Sequence, residues 1–350
     1  MPVKKRIILV TGGGGFLGGA IVRLLVSRGE KIRSFSRSAY AELEALGVQQ
    51  VLGDLSDSGA VEKACQGVET VFHVAAKPGY WGRFKDFYKT NVLGTQNIIA
   101  ACRSNGVKRL IHTSSPCVVF DGKNMAGVDE STPYPARYEA HYPRTKAMAE
   151  LAVLKACREG LTAIILRPHL IWGPGDNHLA PRLLARAHRL RRIGNSNNLV
   201  DTIYVDNAAK AHVLADQCLA RNRSLSGRIY FLSQDEPIPL WNMVNAILKA
   251  GGKPPITRSI PLTMAVTAGA VCEAAFKILR LKGEPPMTRF IARELTTSHW
   301  FNIQAAKTDL GYIPEISMAQ GLKRLEAWLR KDLSITQAAN HKSNASHPSE

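Results

Sequence analysis

Cysteine is sparse and unpaired in this sequence. Its six residues, Cys65, Cys102, Cys117, Cys157, Cys218 and Cys272, stand singly with no CxxC spacing. Neither a disulfide framework nor a thiolate metal site is expected, and the thiols read as small buried hydrophobes of a reducing compartment. Long apolar runs are also missing. Ile7 to Val10 is too short for a signal peptide, and the richest stretch, Pro261 to Ile278, is interrupted by Glu273 and Lys277. It falls short of the roughly 20 apolar residues of a membrane span, so a cytoplasmic location is the expectation. Acidic residues are few: 28 Asp and Glu against 46 Lys and Arg leave a net charge of +18. Such a balance suits anionic ligands, an anionic membrane surface or nucleic acid. No zinc-knuckle or RNP-like pattern accompanies it, so nucleic acid is not expected. The densest basic run, Arg182, Arg186, Arg189, Arg191 and Arg192, reads as a solvated helix face. There is no internal repeat and no residue set with metal-ligand spacing.

What is present is alternation of strand and helix. Strands are predicted over Lys5–Thr11, Lys31–Ser36, Gln49–Gly53, Thr70–Val74, Leu110–Ser114 and Leu161–Arg167. Helices are predicted over Leu17–Arg28, Ala41–Leu46, Ala60–Ala64, Asn91–Ser104 and Pro143–Glu159. This order implies an α/β protein with a doubly wound parallel sheet. Any ligand would then lie along the edge formed by the strand C-termini. Beyond Trp172 the alternation becomes irregular. Residues 1–171 therefore read as a dinucleotide-binding domain, to which strands of the second half return. Residues 172–332 read as a smaller substrate lobe and 333–350 as a disordered tail.

Five stretches carry chemistry. Thr11–Gly18, read as TGGGGFLG, contains GxxGxxG between a strand and a helix. Gly12 permits the turn, Gly15 lets a pyrophosphate approach the backbone, and Gly18 lets the helix pack close, with Phe16 and Leu17 between them. The helix N-terminus supplies N–H donors. At the end of the second strand, where an acid would meet a ribose 2′-hydroxyl, stand Ser36 and Arg37. That pair welcomes a 2′-phosphate, so NADP(H) is expected over NAD(H). Asp54, followed by Leu55, reads equally as an acceptor at the adenine edge or as a turn aspartate. Ala75 and Ala76 are small enough for cofactor approach, and the preceding His73 reads as a packed histidine.

The last stretch is Tyr142-Pro-Arg-Thr-Lys146, whose i, i+4 spacing puts Tyr142 and Lys146 on one helix face. A nearby ammonium would favour the phenolate. Ser115, or Ser114 if the register slips by one, follows the fifth strand, where its hydroxyl would face a ligand.

In this order the motifs resemble the extended short-chain dehydrogenase/reductase superfamily, across Ile7 to about Leu329. The resemblance implies a Rossmann fold and assigns catalysis to Ser115, Tyr142 and Lys146. It extends to NVLGTQN at Asn91–Asn97, where Asn91 orders the loop beside the cofactor. Further matches are the segment from Arg167-Pro168 to Asp176, with Pro168 near the nicotinamide, and YVDNAA at Tyr204–Ala209. Segments of the second half are similar to the 3β-hydroxysteroid and sterol-4α-carboxylate dehydrogenases. Tyr80-Trp81-Gly82, Gly283–Phe290 and Ser298-His299-Trp300 are more similar to bacterial 2-alkyl-3-oxoalkanoate reductases of olefin biosynthesis.

That branch implies NADPH-dependent reduction of a long-chain 2-alkyl-3-oxo acid. A 3β-hydroxysterol or sterol carboxylate dehydrogenase and an NADP(H)-sensing regulator are the alternatives. The resemblance also implies a homodimer through the helices at 91–104 and 143–159. Residues 261–281 read either as an apolar helix capping a greasy pocket or as ordinary core. Lys277, Arg280 and Lys282 could touch an anionic membrane surface or a pathway enzyme, and Lys77, Arg83, Arg137 or Arg182 could pair with a substrate carboxylate.

Overall fold

A computed structural model describes residues 6–194 and 197–344, with side chains as far as residue 331. Lys5, Asn195, Ser196 and 345–350 lie outside the described residues. Seven strands form the main sheet: β1 (Ile7–Thr11), β2 (Lys31–Ser36), β3 (Gln49–Leu52), β4 (Val68–His73), β5 (Arg109–Thr113), β6 (Ala163–Pro168) and β7 (Ile229–Leu232). Their spatial order is β7-β6-β5-β4-β1-β2-β3 and every neighbouring pair is parallel. The six strands anticipated from the sequence lie within two residues of their expected bounds.

Side-chain alternation along these strands builds two core layers. Ile8, Val10, Phe72, Ile111, Ile164 and Leu166 pack on one face, beneath the helices Phe16–Ser27 and Val205–Arg221. Leu9, Val71, Leu110, Ala163 and Ile165 pack on the other, against the helices Ser58–Cys65, Gly94–Ser104 and His141–Arg158. Helices on both faces explain why these strands read as continuous apolar runs. At the N-terminal edge, buried Asp216 accepts hydrogen bonds from Arg6 (2.9 Å), Arg109 (2.6 Å) and Thr70 (3.1 Å), tying β4 and β5 to the Val205–Arg221 helix. The strand order reverses between β1 and β4, which opens a crevice at their C-terminal ends.

The main sheet and a smaller second sheet both draw on the two halves of the chain. Val205–Arg221 and β7 belong to the main sheet layers, and Met125–Val128 joins Leu199–Val200, Ile238–Pro239 and His299–Phe301 in a second, four-stranded sheet. The helix expected from Asn91 begins at Phe84 and passes through a wide π-type turn at Tyr88–Leu93 before Gly94–Ser104. Phe84, Phe87 and Tyr88 already have helical spacing, masked in the sequence by the glycines before them. The final helix, Met318–Asn344, runs into the segment expected as a disordered tail. Leu325 and Leu329 bury its early turns, and no Gly or Pro follows before Pro348 to stop propagation.

Candidate active site

The glycine turn is built by close contact. Gly12 has φ +72°, a conformation other residues adopt at a cost, and lies against Ala75 across the crevice. A Cβ on Gly18 would stand 2.1 Å from the Gly12 carbonyl oxygen, so only glycine lets the helix sit on its own turn. Gly15 caps that helix without any side-chain bond, and no acid occupies the first turn, so the N–H groups there are offered to an anion. Leu17 is buried beneath the turn and Phe16 is half-buried, facing Gly175.

Beside the turn, the Ser36 hydroxyl donates to the Ser38 carbonyl at 2.9 Å and Arg37 is exposed. Tyr40 lies over Gly14. One Asp54 oxygen accepts from Ser56 N (2.9 Å) and Oγ (2.7 Å), while Lys89 stands 4.0 Å from the other. Those bonds, helped by Lys89 and Arg37, hold the carboxyl below the usual range. One oxygen of Asp54 thus does the work of a turn aspartate. Leu55 is buried under Gly94, and its carbonyl accepts from Asn97.

Below the crevice a buried relay fixes the strand ends. Thr11 Oγ1 accepts from Val74 N and Ala75 N (3.1 Å each), leaving its own proton for His73 Nδ1 at 2.9 Å. His73 Nε2–H then faces Thr95 Oγ1 at 3.0 Å, and Thr95 donates to the Asn91 carbonyl. Burial pushes the His73 pKa down to about 3, so the ring is neutral and structural. Asn91, in the π-type turn, accepts from Lys77 N (2.7 Å) and donates to Lys77 O and to Thr145 Oγ1. It clamps the loop after β4 to the helix that carries Lys146. Ala75 and Ala76 are half-buried on that loop and Pro168 is buried at the end of β6.

Ser115, Tyr142 and Lys146 converge over β5. The Ser115 hydroxyl lies beside the Tyr142 phenol, close enough to lower its pKa, and accepts from Cys117 N. Ser114 is buried with its hydroxyl unpartnered, so Ser115 is the serine beside Tyr142. Lys146 Nζ donates to the Thr113 carbonyl at 2.5 Å, and burial lowers its pKa to about 8. The expectation that the ammonium lowers the tyrosine's pKa is corrected here. Burial is the main influence on Tyr142 and pushes it up, with Cys117 and Glu294 adding to the rise and the Ser115 bond opposing it. The phenol is held protonated.

Three further neighbours join them, of which only Tyr80, in the Tyr80-Trp81-Gly82 segment, carried a sequence signal. Tyr80 sets its ring edge-on to Tyr142, centroids 6.0 Å apart, and packs on Phe290 at 4.7 Å. Glu294, hydrogen-bonded to Tyr80, has its pKa raised by burial to about 7. Phe120 closes the cluster against Phe290 and His299. Only the fold brings these positions together.

A cavity of about 1070 Å³ reaches Tyr80 and His141, the neighbours of Tyr142, and is also lined by Trp81, Phe290, Leu281 and a basic rim. Arg83 pairs with Asp86, Arg289 with Glu273 and Arg293 with Glu139. Lys277, Arg280 and Lys282 enter no ion pair among the described residues. Of the four cations expected to meet a carboxylate, only Arg83 lines this cavity, and Arg182 is engaged with Glu284 at 3.0 Å. Both readings of the 261–281 helix need correction. Leu262–Ile278 buries only Ala265 and Gly269, and Met264, Val271 and Ile278 face outward. It is neither ordinary core nor the greasy lining of the cavity, to which its last turns contribute Glu273, Lys277 and, just beyond, Arg280 and Leu281.

Residues 9–262 match the 3-beta hydroxysteroid dehydrogenase/isomerase family. A "2-alkyl-3-oxoalkanoate reductase" of Stenotrophomonas maltophilia is 48% identical over 91% of this chain and 98% of its own length. One of Shewanella oneidensis is 46% identical over 94% and 88%. A mouse "sterol-4-alpha-carboxylate 3-dehydrogenase, decarboxylating" is 34% identical over 92% and 90%. The crystal structure of gox2253 superposes with a TM-score of 0.75 at 27% identity, covering 94% of this chain and 99% of that one. The chain belongs to the 3-beta hydroxysteroid dehydrogenase/isomerase family and is an oxidoreductase that interconverts a ketone and a hydroxyl group.

Proposed function

We propose that this protein reduces a 2-alkyl-3-oxoalkanoate to the 2-alkyl-3-hydroxyalkanoate with NADPH. The observation that carries the reading is the convergence of Ser115, Tyr142 and Lys146 over the C-terminal end of β5, with Lys146 Nζ held by the Thr113 carbonyl. A phenol kept protonated by burial is a proton donor, which reduction of a ketone needs; the reverse oxidation needs the phenolate. The ketone oxygen accepts hydrogen bonds from Ser115 and Tyr142, which stabilise negative charge as it develops there. The nicotinamide, when bound, supplies the hydride to C3. Tyr142 passes its proton to the forming alkoxide, and Lys146 would hold the nicotinamide ribose. Gly12, Gly15 and Gly18, with Phe16 and Leu17, would hold the pyrophosphate. Leu55 and Asp54 would flank the adenine, and Ala75, Ala76 and Pro168 would lie along the nicotinamide half.

NADPH is favoured over NADH because β2 ends in Ser36 and exposed Arg37 rather than an acid. The substrate class is favoured by the names of the two bacterial relatives and by an apolar cavity with a cationic rim. The test is oxidation of NADPH by purified protein given a long-chain 2-alkyl-3-oxo acid, beside NADH, and beside a 3β-hydroxysterol with NAD⁺ or NADP⁺. Turnover of the oxo acid with NADPH preferred is expected. Tyr142→Phe is expected to lower kcat by roughly 10²- to 10⁴-fold while NADPH still binds; an unchanged rate would remove Tyr142 from the mechanism. Turnover of the sterol alone would move the assignment to the sterol dehydrogenase branch.

A further inference from the structure

The Leu262–Ile278 helix sits on the outside of the molecule with an apolar face that no described residue covers. Met264, Val271 and Ile278 are 57%, 63% and 78% exposed. Their seven-residue spacing places them along one side of the helix, and Ala268 and Ala274 are exposed between them. The stripe continues into Leu279 and Leu281, 65% and 46% exposed. Apolar surface of this extent, contiguous along one element, is uncommon on a soluble protein unless something binds it.

Charge says what binds it. Lys277, Arg280 and Lys282 are exposed at the end of the stripe and free of ion pairs among the described residues. The helix's one acid, Glu273, turns inward to Arg289, so no carboxylate shares this face. A second copy docking through the same face would bring these cations together on a chain already at +18. An anionic bilayer instead neutralises the cations and takes up the apolar stripe. The same end of the helix forms the rim of the cavity, through Lys277, Arg280 and Leu281.

We propose that the Leu262–Ile278 helix and the basic residues following it dock the protein on an anionic lipid surface, with the cavity mouth against the membrane. A substrate with long apolar chains then passes from the bilayer to Tyr142 without crossing water. The docking stands apart from the reading of the chemistry, because it rests on the outer face of the helix.

The test is co-sedimentation of the full chain with phosphatidylcholine vesicles, with and without phosphatidylglycerol. The protein is expected to pellet only with the anionic vesicles, and to be released at about 0.5 M salt, where surface charge is screened within a few ångströms. Val271→Ser combined with Ile278→Ser, both outside the cavity, is expected to weaken binding at least about tenfold by removing inserted apolar surface. The same variant should reduce a short, water-soluble 3-oxo acid at the wild-type rate, which shows that it is folded. A wild-type protein that stays in the supernatant with anionic vesicles overturns the proposal. So does equal binding to both vesicle types, or equal binding by the variant. Light scattering that shows a dimer, dissolved by Val271→Glu and indifferent to vesicles, would assign the face to a second copy.

Discussion

At the residue scale, the protonation state of two groups beside the cavity decides how the site behaves. Tyr142 is kept protonated by burial, while Glu294, also raised by burial, changes charge near pH 7. The groups facing Glu294 are Tyr80, Cys117 and Tyr142. The neighbouring cation on its own helix, Arg293, is engaged with Glu139. As pH rises through about 7, Glu294 gains a charge that repels an anionic substrate and pushes the tyrosine further up. Activity toward the oxo acid is therefore expected to fall on the alkaline side, and Glu294→Gln should flatten that limb. An alkaline limb identical in wild type and variant would show that Glu294 does not control it. A second prediction concerns Ser36. Ser36→Asp would place a carboxylate where a 2′-phosphate sits and is expected to shift the kcat/KM ratio from NADPH toward NADH by at least about tenfold, on the scale of one unpaired charge contact. Unaltered preference would put the discrimination elsewhere, with Tyr40 over Gly14 the next residue to test.

At the element scale, the site depends on contacts between segments far apart in sequence. The Phe16–Ser27 helix rests on its glycine turn through Gly18. Gly18→Ala would force the helix away from the turn and misalign its N–H groups. The expected result is a lower melting temperature together with NADPH binding weakened by an order of magnitude or more, a displacement effect of the kind that follows misplacement by about 1 Å. Retained affinity in calorimetry would show that the turn can relax. The π-type turn at Tyr88–Leu93 is a second such device. It lets one asparagine, Asn91, tie both the loop after β4 and the helix carrying Lys146. Glycine and proline punctuation made the first helix, the strands and the turn between them legible in the sequence. A π-type turn has no comparable mark, because it is set by which carbonyl each N–H reaches. The glycines before Phe84 hid the helical spacing of Phe84–Phe87, and the turn that follows it carried no signal of its own.

At the scale of the whole molecule, the histidines set the response to acid. Burial lowers His73 to about 3 and His212 and His299 to about 4, and it lowers His112 and His169 as well. An unfolded chain protonates these rings near pH 6.5, so below that pH it binds more protons than the folded chain. Their contribution to stability is therefore complete above about pH 6.5 and drains away as pH falls toward 4. Asp201 and Glu294, raised to about 6 and 7, have the opposite sign, since the folded state holds their protons longer. With His141 also lowered and Glu130 also raised, six rings against three carboxyls favour a net loss of stability on acidification. Urea unfolding between pH 7 and pH 5 (about the span from ordinary histidine behaviour downward) is expected to show a falling midpoint. A midpoint that is flat or rises across that span would contradict the neutral buried rings.

The strand–helix alternation, the glycine turn, the absence of an acid at Ser36 and the Tyr142–Lys146 spacing were all determined by local sequence. Each is a property of a few consecutive residues and elementary stereochemistry. Such patterns were enough to anticipate the parallel sheet and the family. Tertiary structure set Ser115 beside Tyr142 and buried the Ser114 hydroxyl, since a one-residue step after β5 reverses which side chain faces the crevice. It also placed Tyr80 and Glu294, more than 200 residues apart in the chain, on either side of the tyrosine's sequence position and beside it in space. Finally, it turned the apolar Leu262–Ile278 helix outward. Periodicity marks an apolar face but not what lies opposite it, and burial depends on where the rest of the chain has already packed.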